Sequence, residues 1–126
     1  MQRAHLENVN LKGAYLGDAN LKEADLLDAN LQGTDLTNAD LQGANLRLAN
    51  LQEAELGLAN LQGADLTIAN LQGAKLAHAN LQGADLRQAE YDNATKWPEG
   101  FTPPPEAVNV DVERGQTELR EQRAFS

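Results

Sequence analysis

The sequence predicts an all-β solenoid, a chain wound into stacked square coils, and three observations point to it. Every fifth residue from Leu6 to Leu86 is leucine. The residue two places before each leucine is small and is almost always alanine. A second rhythm, of ten residues, often places glycine two positions after a leucine, as at Gly63 and Gly73. So short and strict a period favours one repeated structural unit over an irregular globular core.

The five-residue period excludes both a helix and a flat strand. In a helix, leucines five residues apart would be about 140° apart around the axis and would form no apolar stripe. In an extended strand, an odd period sends successive leucines to opposite faces. A corner in every repeat removes the conflict. Four corners of about 90° close a square coil of about twenty residues, and successive coils stack as parallel strands with the leucines inside.

Within each repeat we place the small residue at position −2 and the leucine at position 0, followed by corner residues at +1 and +2. Of the nineteen −2 positions between residues 4 and 94, seventeen are alanine, and Val9 and Thr34 are the others. Position 0 is leucine seventeen times in eighteen, with Tyr91 the exception. We expect the Thr34 hydroxyl to bond a neighbouring backbone group. Asparagine or aspartate at −1 is expected to bond the backbone of its own turn.

The corners are expected to be of two kinds. Glycine at +2, as at Gly63, permits the positive φ of a type II turn. The +2 residues of the two intervening faces are larger, and the β-branched Ile68 resists a positive φ. We therefore predict a different turn at those corners.

Units such as Ala59-Asn60-Leu61-Gln62-Gly63, repeated in tandem from Ala4 to Ala94, resemble those of the pentapeptide repeat proteins. The resemblance implies a right-handed quadrilateral parallel β-helix with leucine and alanine ladders inside. Eighteen repeats would make about four and a half coils, a rod about 22 Å tall at about 4.8 Å per coil. We predict that residues 1–95 form this solenoid and residues 96–126 a C-terminal cap and tail.

The composition changes after Thr95. The next ten residues hold the only tryptophan, Trp97, together with Phe101 and all four prolines. Aromatic side chains can cover the end of an apolar ladder, and prolines prevent further strand pairing because they have no backbone N–H to donate. We predict a cap formed by Tyr91, Trp97 and Phe101, an ending that the family resemblance also implies. The sequence leaves the conformation of residues 106–126 open. The alternating valines of residues 108–112 suggest a strand, and residues 116–124 a short helix.

Charge and composition limit the partners. The chain has 10 lysines and arginines against 19 aspartates and glutamates, a net charge of −9. Direct binding of nucleic acid needs clustered basic residues, so we expect none. No segment is long and apolar enough to cross a membrane, and Met1 to Ala4 enter the repeat without a signal peptide. We therefore expect a cytoplasmic protein. The absence of cysteine excludes disulfides and thiolate chemistry.

No catalytic, cofactor-binding or metal-binding residues are predicted. His5 and His78 fall on different faces without a second ligand in reach. Asp65 and Asp85 stack in one outward column, where they are either solvated carboxylates or a pair that raises one another's pKa or holds a cation. No nucleophile lies beside a base, and a filled rod offers no substrate pocket. We expect no enzyme activity and no cofactor.

Exposed aliphatic residues give a candidate partner patch, formed by Leu27, Leu48, Ile68 and Arg47. Scattered surface aliphatics are also common without any function. The expected partner is an unidentified protein. The first coil, near Leu6 and Leu11, should stay partly open because Met1, Gln2 and Arg3 are too few and too polar to cover it. This end predicts a monomer or a weak end-to-end homodimer.

Two functions follow from these features. The favoured one is a noncatalytic structural or protein-interaction scaffold. The alternative, implied by the family resemblance, is an acidic DNA mimic that inhibits or protects a DNA topoisomerase. The short rod, matching only about six or seven base pairs, and the absence of phenylalanine at position 0 weigh against the second.

Overall fold

The computed structural model describes residues 3–124. Its regular elements are strand β1 (Glu90–Tyr91), strand β2 (Val108–Asn109) and helix α1 (Val110–Ala124). The strands pair in parallel, Glu90 with Val108. Before β1, the chain forms single parallel bridges between residues twenty apart, as in Asn30 with Asn50 and Asn50 with Asn70. This spacing confirms the predicted stacking of every fourth repeat.

Backbone hydrogen bonds fasten each coil to the next. The N–H of Leu51 donates to the carbonyl of Asn70 (2.8 Å), and the N–H of Asn70 donates to that of Ala49 (2.9 Å). The same pattern recurs on all four faces. Each repeat therefore contributes one bridging residue and one corner, because a side of the coil is too short for a longer strand.

The core consists of two kinds of ladder. The leucines at position 0 from Leu26 to Leu76 are fully buried, and the alanines at −2 from Ala24 to Ala74 lie beside them. The prediction of inward leucines and alanines is confirmed for these coils. In the first coil, Leu6 and Leu11 are only half-buried, as predicted. Met1 and Gln2, which we expected to leave this end uncovered, lie outside the described residues.

The Thr34 prediction is confirmed. This inward side chain is fully buried, and its Oγ1 donates to the Leu11 carbonyl at 2.7 Å. The −1 prediction is confirmed as well. From Asn10 to Asp85, every asparagine or aspartate at −1 accepts a bond from the backbone N–H two residues later, as Asn50 does from Gln52 (3.0 Å). These side chains therefore stabilise the turns.

The prediction of two kinds of corner is wrong. The +2 residue has a positive φ at every corner from Asn8 to Gln88, including Ile68 at 59° and Leu48 at 62°. The cause lies in the ladder. The N–H of Ile68 donates to the Arg87 carbonyl of the next coil (3.1 Å), and the N–H of Ala69 closes the turn on Leu66 (3.1 Å). Coils can stack only if their backbones follow the same course. These hydrogen bonds therefore hold Ile68 at a positive φ, which its side chain disfavours by about 1 to 2 kcal/mol.

The repeat register shifts by one residue after Tyr91. The sequence places Ala94 at an inward −2 position, but Ala94 is exposed and Thr95 is buried in its place. Lys96 then bridges Lys75, twenty-one residues earlier, so the ladder runs past residue 95. The extra residue is Asp92, whose Oδ1 accepts the Gly73 N–H at 3.0 Å. At the equivalent Gly63, a backbone carbonyl fills this role.

The register shift puts Trp97 at position 0 of the last repeat. Its ring meets that of Tyr91 edge-on, with centroids 5.3 Å apart, and that of Phe101 at 5.2 Å. All three half-buried rings pack against the leucine core. The chain then crosses this end, and the Val108 N–H donates to the Ala89 carbonyl at 2.8 Å.

The tail, whose conformation the sequence left open, forms a shorter strand and a longer helix than its pattern suggested. The strand stops at Asn109, and helix α1 begins at Val110 rather than near residue 116. Asn109 caps the helix, because its Oδ1 accepts the backbone N–H groups of Asp111 (3.0 Å) and Val112 (3.3 Å). From residue 116 to residue 123 every side chain is exposed. Among residues 3–124, no helix has the length and apolar character to span a bilayer.

Candidate functional site

The interior offers no site. The leucine and alanine ladders fill it, and no buried side-chain nitrogen or oxygen within residues 3–124 lacks a hydrogen-bond partner. The same residues contain no group of three or more histidine, aspartate or glutamate side chains placed to hold a metal ion. Within residues 3–124, the surfaces left for binding are the outward columns at −1, +1 and +2 and the tail that crosses the last coil.

One face carries a groove beside its corner. A cavity of about 550 Å³ opens between the +1 and +2 columns, which the twenty-residue spacing stacks one coil above another. Its lining joins two guanidinium groups to aliphatic, amide and carboxylate side chains: Arg47, Thr67, Ile68, Arg87, Gln88 and Glu106. We refer to these six residues as the corner groove.

The predicted partner patch lies partly within the corner groove. Arg47 and Ile68 line it, and Ile68 is 36% exposed. Leu48 is 40% exposed but is not one of the lining residues. Leu27 stands below Arg47 in the +1 column and is half-buried. Leu58, 59% exposed, belongs to the opposite face.

Four of the six lining residues lie outside the predicted patch, namely Thr67, Arg87, Gln88 and Glu106, and the first three occupy the +1 and +2 columns. Thr67 follows from the twenty-residue register, since it stands between Arg47 and Arg87 in the +1 column. Glu106 does not follow from any repeat. It reaches the groove because the tail folds back over the last coil, where the Gln88 N–H donates to the Glu106 carbonyl at 2.8 Å.

The two arginines of the groove differ in their neighbours. Arg87 forms an ion pair with Asp85, with 2.6 Å between its Nη2 and Oδ2, and its Nε also donates to the same carboxylate. The side-chain hydrogen bonds from Arg87 lower the pKa of Asp85, and the same contacts raise the pKa of Arg87. The idea that stacking beside Asp65 raises the pKa of Asp85 is therefore wrong.

Arg47 stands in the equivalent position two coils earlier, but its −1 neighbour is Asn45 rather than an aspartate. The Nδ2 of Asn45 donates to Asp25 at 3.2 Å, and its Oδ1 accepts the Arg47 backbone N–H. No side-chain acceptor for the Arg47 guanidinium is found among residues 3–124. Within the described part of the chain, the exposed Arg47 guanidinium therefore has no ion-pair partner.

The opposite face carries an ion pair of its own. Lys75 and Glu55 form an exposed ion pair, at 3.3 Å between Nζ and Oε1. Hydrogen bonds from Thr37, from its side chain and its backbone N–H, lower the pKa of Asp35. An exposed ion pair such as Lys75–Glu55 contributes at most about 1 kcal/mol to stability.

The family model for pentapeptide repeats matches eight copies in this chain, over residues 1–38, 29–67 and 69–90. A pentapeptide repeat protein, Rfr23, from the cyanobacterium Cyanothece 51142 is 47% identical over 75% of this chain and 61% of its own, with a TM-score of 0.40. One from the Arabidopsis thaliana thylakoid lumen is 31% identical over 71% of this chain and 66% of its own (TM-score 0.44). The chain thus covers less than two thirds of either relative's length. No curated protein sequence matches it.

QnrB1, a plasmid-mediated fluoroquinolone resistance protein, shares the fold with a TM-score of 0.52. Its identity is 17%, over 91% of this chain and 70% of its own. A right-handed β-helix is the fold of these relatives. Both the repeat pattern and the stacked ladders agree with the family match, which covers well over half of the chain, and the chain therefore belongs to the pentapeptide repeat family.

Proposed function

We propose that this protein is a noncatalytic interaction scaffold that binds a protein partner through the patch of Leu27, Arg47, Leu48 and Ile68. The observation that carries the proposal is the division of each repeat. The side chains at positions −2 and 0 are buried in the core. The side chains at the other three positions face solvent, on a backbone that hydrogen bonds between coils hold in place. Such a body presents side chains in fixed columns but encloses no substrate, which suits recognition rather than catalysis.

We further propose that the scaffold consists of about four and a half coils and ends in a C-terminal cap. The bridges from His5 to Lys96 support the coil count. The contacts of Tyr91, Trp97 and Phe101 with the leucine core support the cap, because they cover a ladder that would otherwise end in open solvent.

In solution we propose a monomer with weak end-to-end association through the first coil. Its leucines are half-buried, and the backbone N–H groups of Asn10, Tyr15 and Asn20 have no acceptor among residues 3–124. A second copy could pair with such an edge, as strands do at unprotected sheet edges. Sedimentation over a range of protein concentrations tests this, and Leu11→Asp should abolish any dimer.

A second candidate function is the acidic DNA mimic acting on a topoisomerase. The net charge of −9 and the rod shape favour it. A height of about 22 Å and the unneutralised Arg47 within the acidic surface disfavour it. The resemblance to QnrB1 bears on the fold alone.

The test is affinity capture from the source cells with three baits. The wild-type protein and Leu58→Asp, which alters the opposite face, should retain a shared partner that Ile68→Asp loses. Equal capture by all three would refute the patch. A topoisomerase supercoiling assay runs alongside, and inhibition at stoichiometric amounts would favour the DNA mimic instead.

A further inference from the structure

We infer that the corner groove binds a single carboxylate side chain flanked by aliphatic residues, held by Arg47. This inference rests on the proposed scaffold function and specifies the chemistry of its partner. The expected ligand is a segment of another protein in which one aspartate or glutamate stands between aliphatic side chains. Its carboxylate would accept a two-pronged hydrogen bond from the guanidinium, a geometry that arginine favours.

The first support is the contrast between the two arginines. Arg87 is held by Asp85, which uses both of its carboxylate oxygens in the pair. At Arg47 the same position carries Asn45, which has no charge. The protein thus contains its own example of the pair, and at Arg47 the carboxylate is missing. On a surface with 19 acidic residues, an arginine left without one is available to a partner's acid.

The second support is the backbone strain at the aliphatic residues beside Arg47. Leu48 and Ile68 adopt φ values of 62° and 59°, which cost a branched side chain free energy that glycine would not lose. Their side chains are exposed, so the core does not repay this cost. On the neighbouring faces, glycine occupies most of the equivalent corners. Exposed, strained aliphatic residues beside a free cation favour a ligand with apolar groups around its charge.

The acidic groups at the far end of the groove limit the ligand. Asp85 and Glu106 lie near Arg87, about 10 Å from the level of Arg47 because two coils separate them. A nucleic acid strand, with a phosphate at every nucleotide, would bring a second negative charge against these carboxylates. A peptide with a single acid can place it against Arg47, two coils away from Asp85. The groove therefore favours an isolated carboxylate over a phosphate chain.

The experiment uses three blocked peptides with the centres Val-Glu-Val, Val-Gln-Val and Val-Lys-Val, titrated into the full-length ¹⁵N-labelled protein. Signals of Arg47, including its Nε–H, and of Thr67 and Ile68 should shift with the glutamate peptide. The glutamine and lysine peptides should bind about tenfold more weakly or not at all, because they lack the charge. A (dT)₈ oligonucleotide should cause no shift in the groove.

Arg47→Gln should weaken glutamate-peptide binding about tenfold. Lys75→Gln, which removes an exposed cation from the opposite face, should leave it unchanged. Unaltered spectra away from each substituted residue would show that both variants are folded. Equal binding of the glutamate and glutamine peptides, binding unaffected by Arg47→Gln, or tighter binding of the oligonucleotide would each overturn the inference. The scaffold proposal would survive these outcomes if Ile68→Asp still abolished partner capture.

Discussion

Truncation of one central leucine should destabilise the protein far more than truncation of the same ladder at its open end. Leu51 is fully buried, with Leu31 and Leu71 one coil away on either side. Leu51→Ala removes three buried carbons from a ladder whose neighbours are held by backbone bonds and cannot collapse into the gap. Buried Leu→Ala changes cost about 2 to 5 kcal/mol, and this rigid site should fall near 3 kcal/mol.

Leu11→Ala is the matched control. It lies in the same column, but its side chain is half-buried and has a coil on one side only among the described residues. The lost transfer free energy is smaller and solvent reaches the space, so we expect a cost of about 1 kcal/mol.

Urea unfolding of both variants, followed by circular dichroism and by the fluorescence of the single tryptophan, Trp97, measures the difference. The melting temperature of Leu51→Ala should fall by about 10 °C. Costs that are equal for Leu51→Ala and Leu11→Ala, or a cost below about 1 kcal/mol for Leu51→Ala, would refute a core made of stacked ladders.

Three further predictions concern the cap, the charges and the corners. Truncation after Thr95 should lower stability or cause aggregation because it removes two of the three packed rings, whereas deletion of residues 110–126 should have little effect on the melting temperature. Equal melting of the Thr95 truncation and the full chain would contradict the cap. By NMR titration, the carboxyl pKa of Asp85 should lie below the ordinary value of an aspartate and return towards it in Arg87→Gln. Ile68→Gly should raise the free energy of unfolding by about 0.5 to 1 kcal/mol in urea melts, and a loss of stability would show that the corner is unstrained.

The sign of the pH dependence follows from the lowered pKa. Asp85 binds its proton less readily in the folded protein than in the unfolded chain, so its pair with Arg87 stabilises the fold above the ordinary carboxyl pKa. That contribution is lost as the pH falls through the lowered folded value. Because the pair is exposed, salt should weaken it.

The sequence predicted the ladders well because a five-residue period with leucine leaves few alternatives. It failed at Ile68, where local φ preference opposes the ladder and the ladder's hydrogen bonds win. It failed again at Asp92, because a side chain that replaces a backbone carbonyl leaves no trace in the periodicity. The groove was half predictable. The columns of Arg47 and Ile68 follow from the register, but Glu106 arrives through a tail whose path no repeat dictates.

The twenty-residue coil also sets the units in which such a protein can change length. Insertion of twenty residues adds about 4.8 Å of height and leaves every column facing the same way. Insertion of five residues rotates everything beyond it by one quarter of a turn, so that an arginine column would continue on a neighbouring face. Insertion of a single residue, as at Asp92, shifts the five-residue register, and the regular repeats end soon after it. Adding or removing whole coils therefore changes the distance between two binding sites on the rod and leaves each site on its original face.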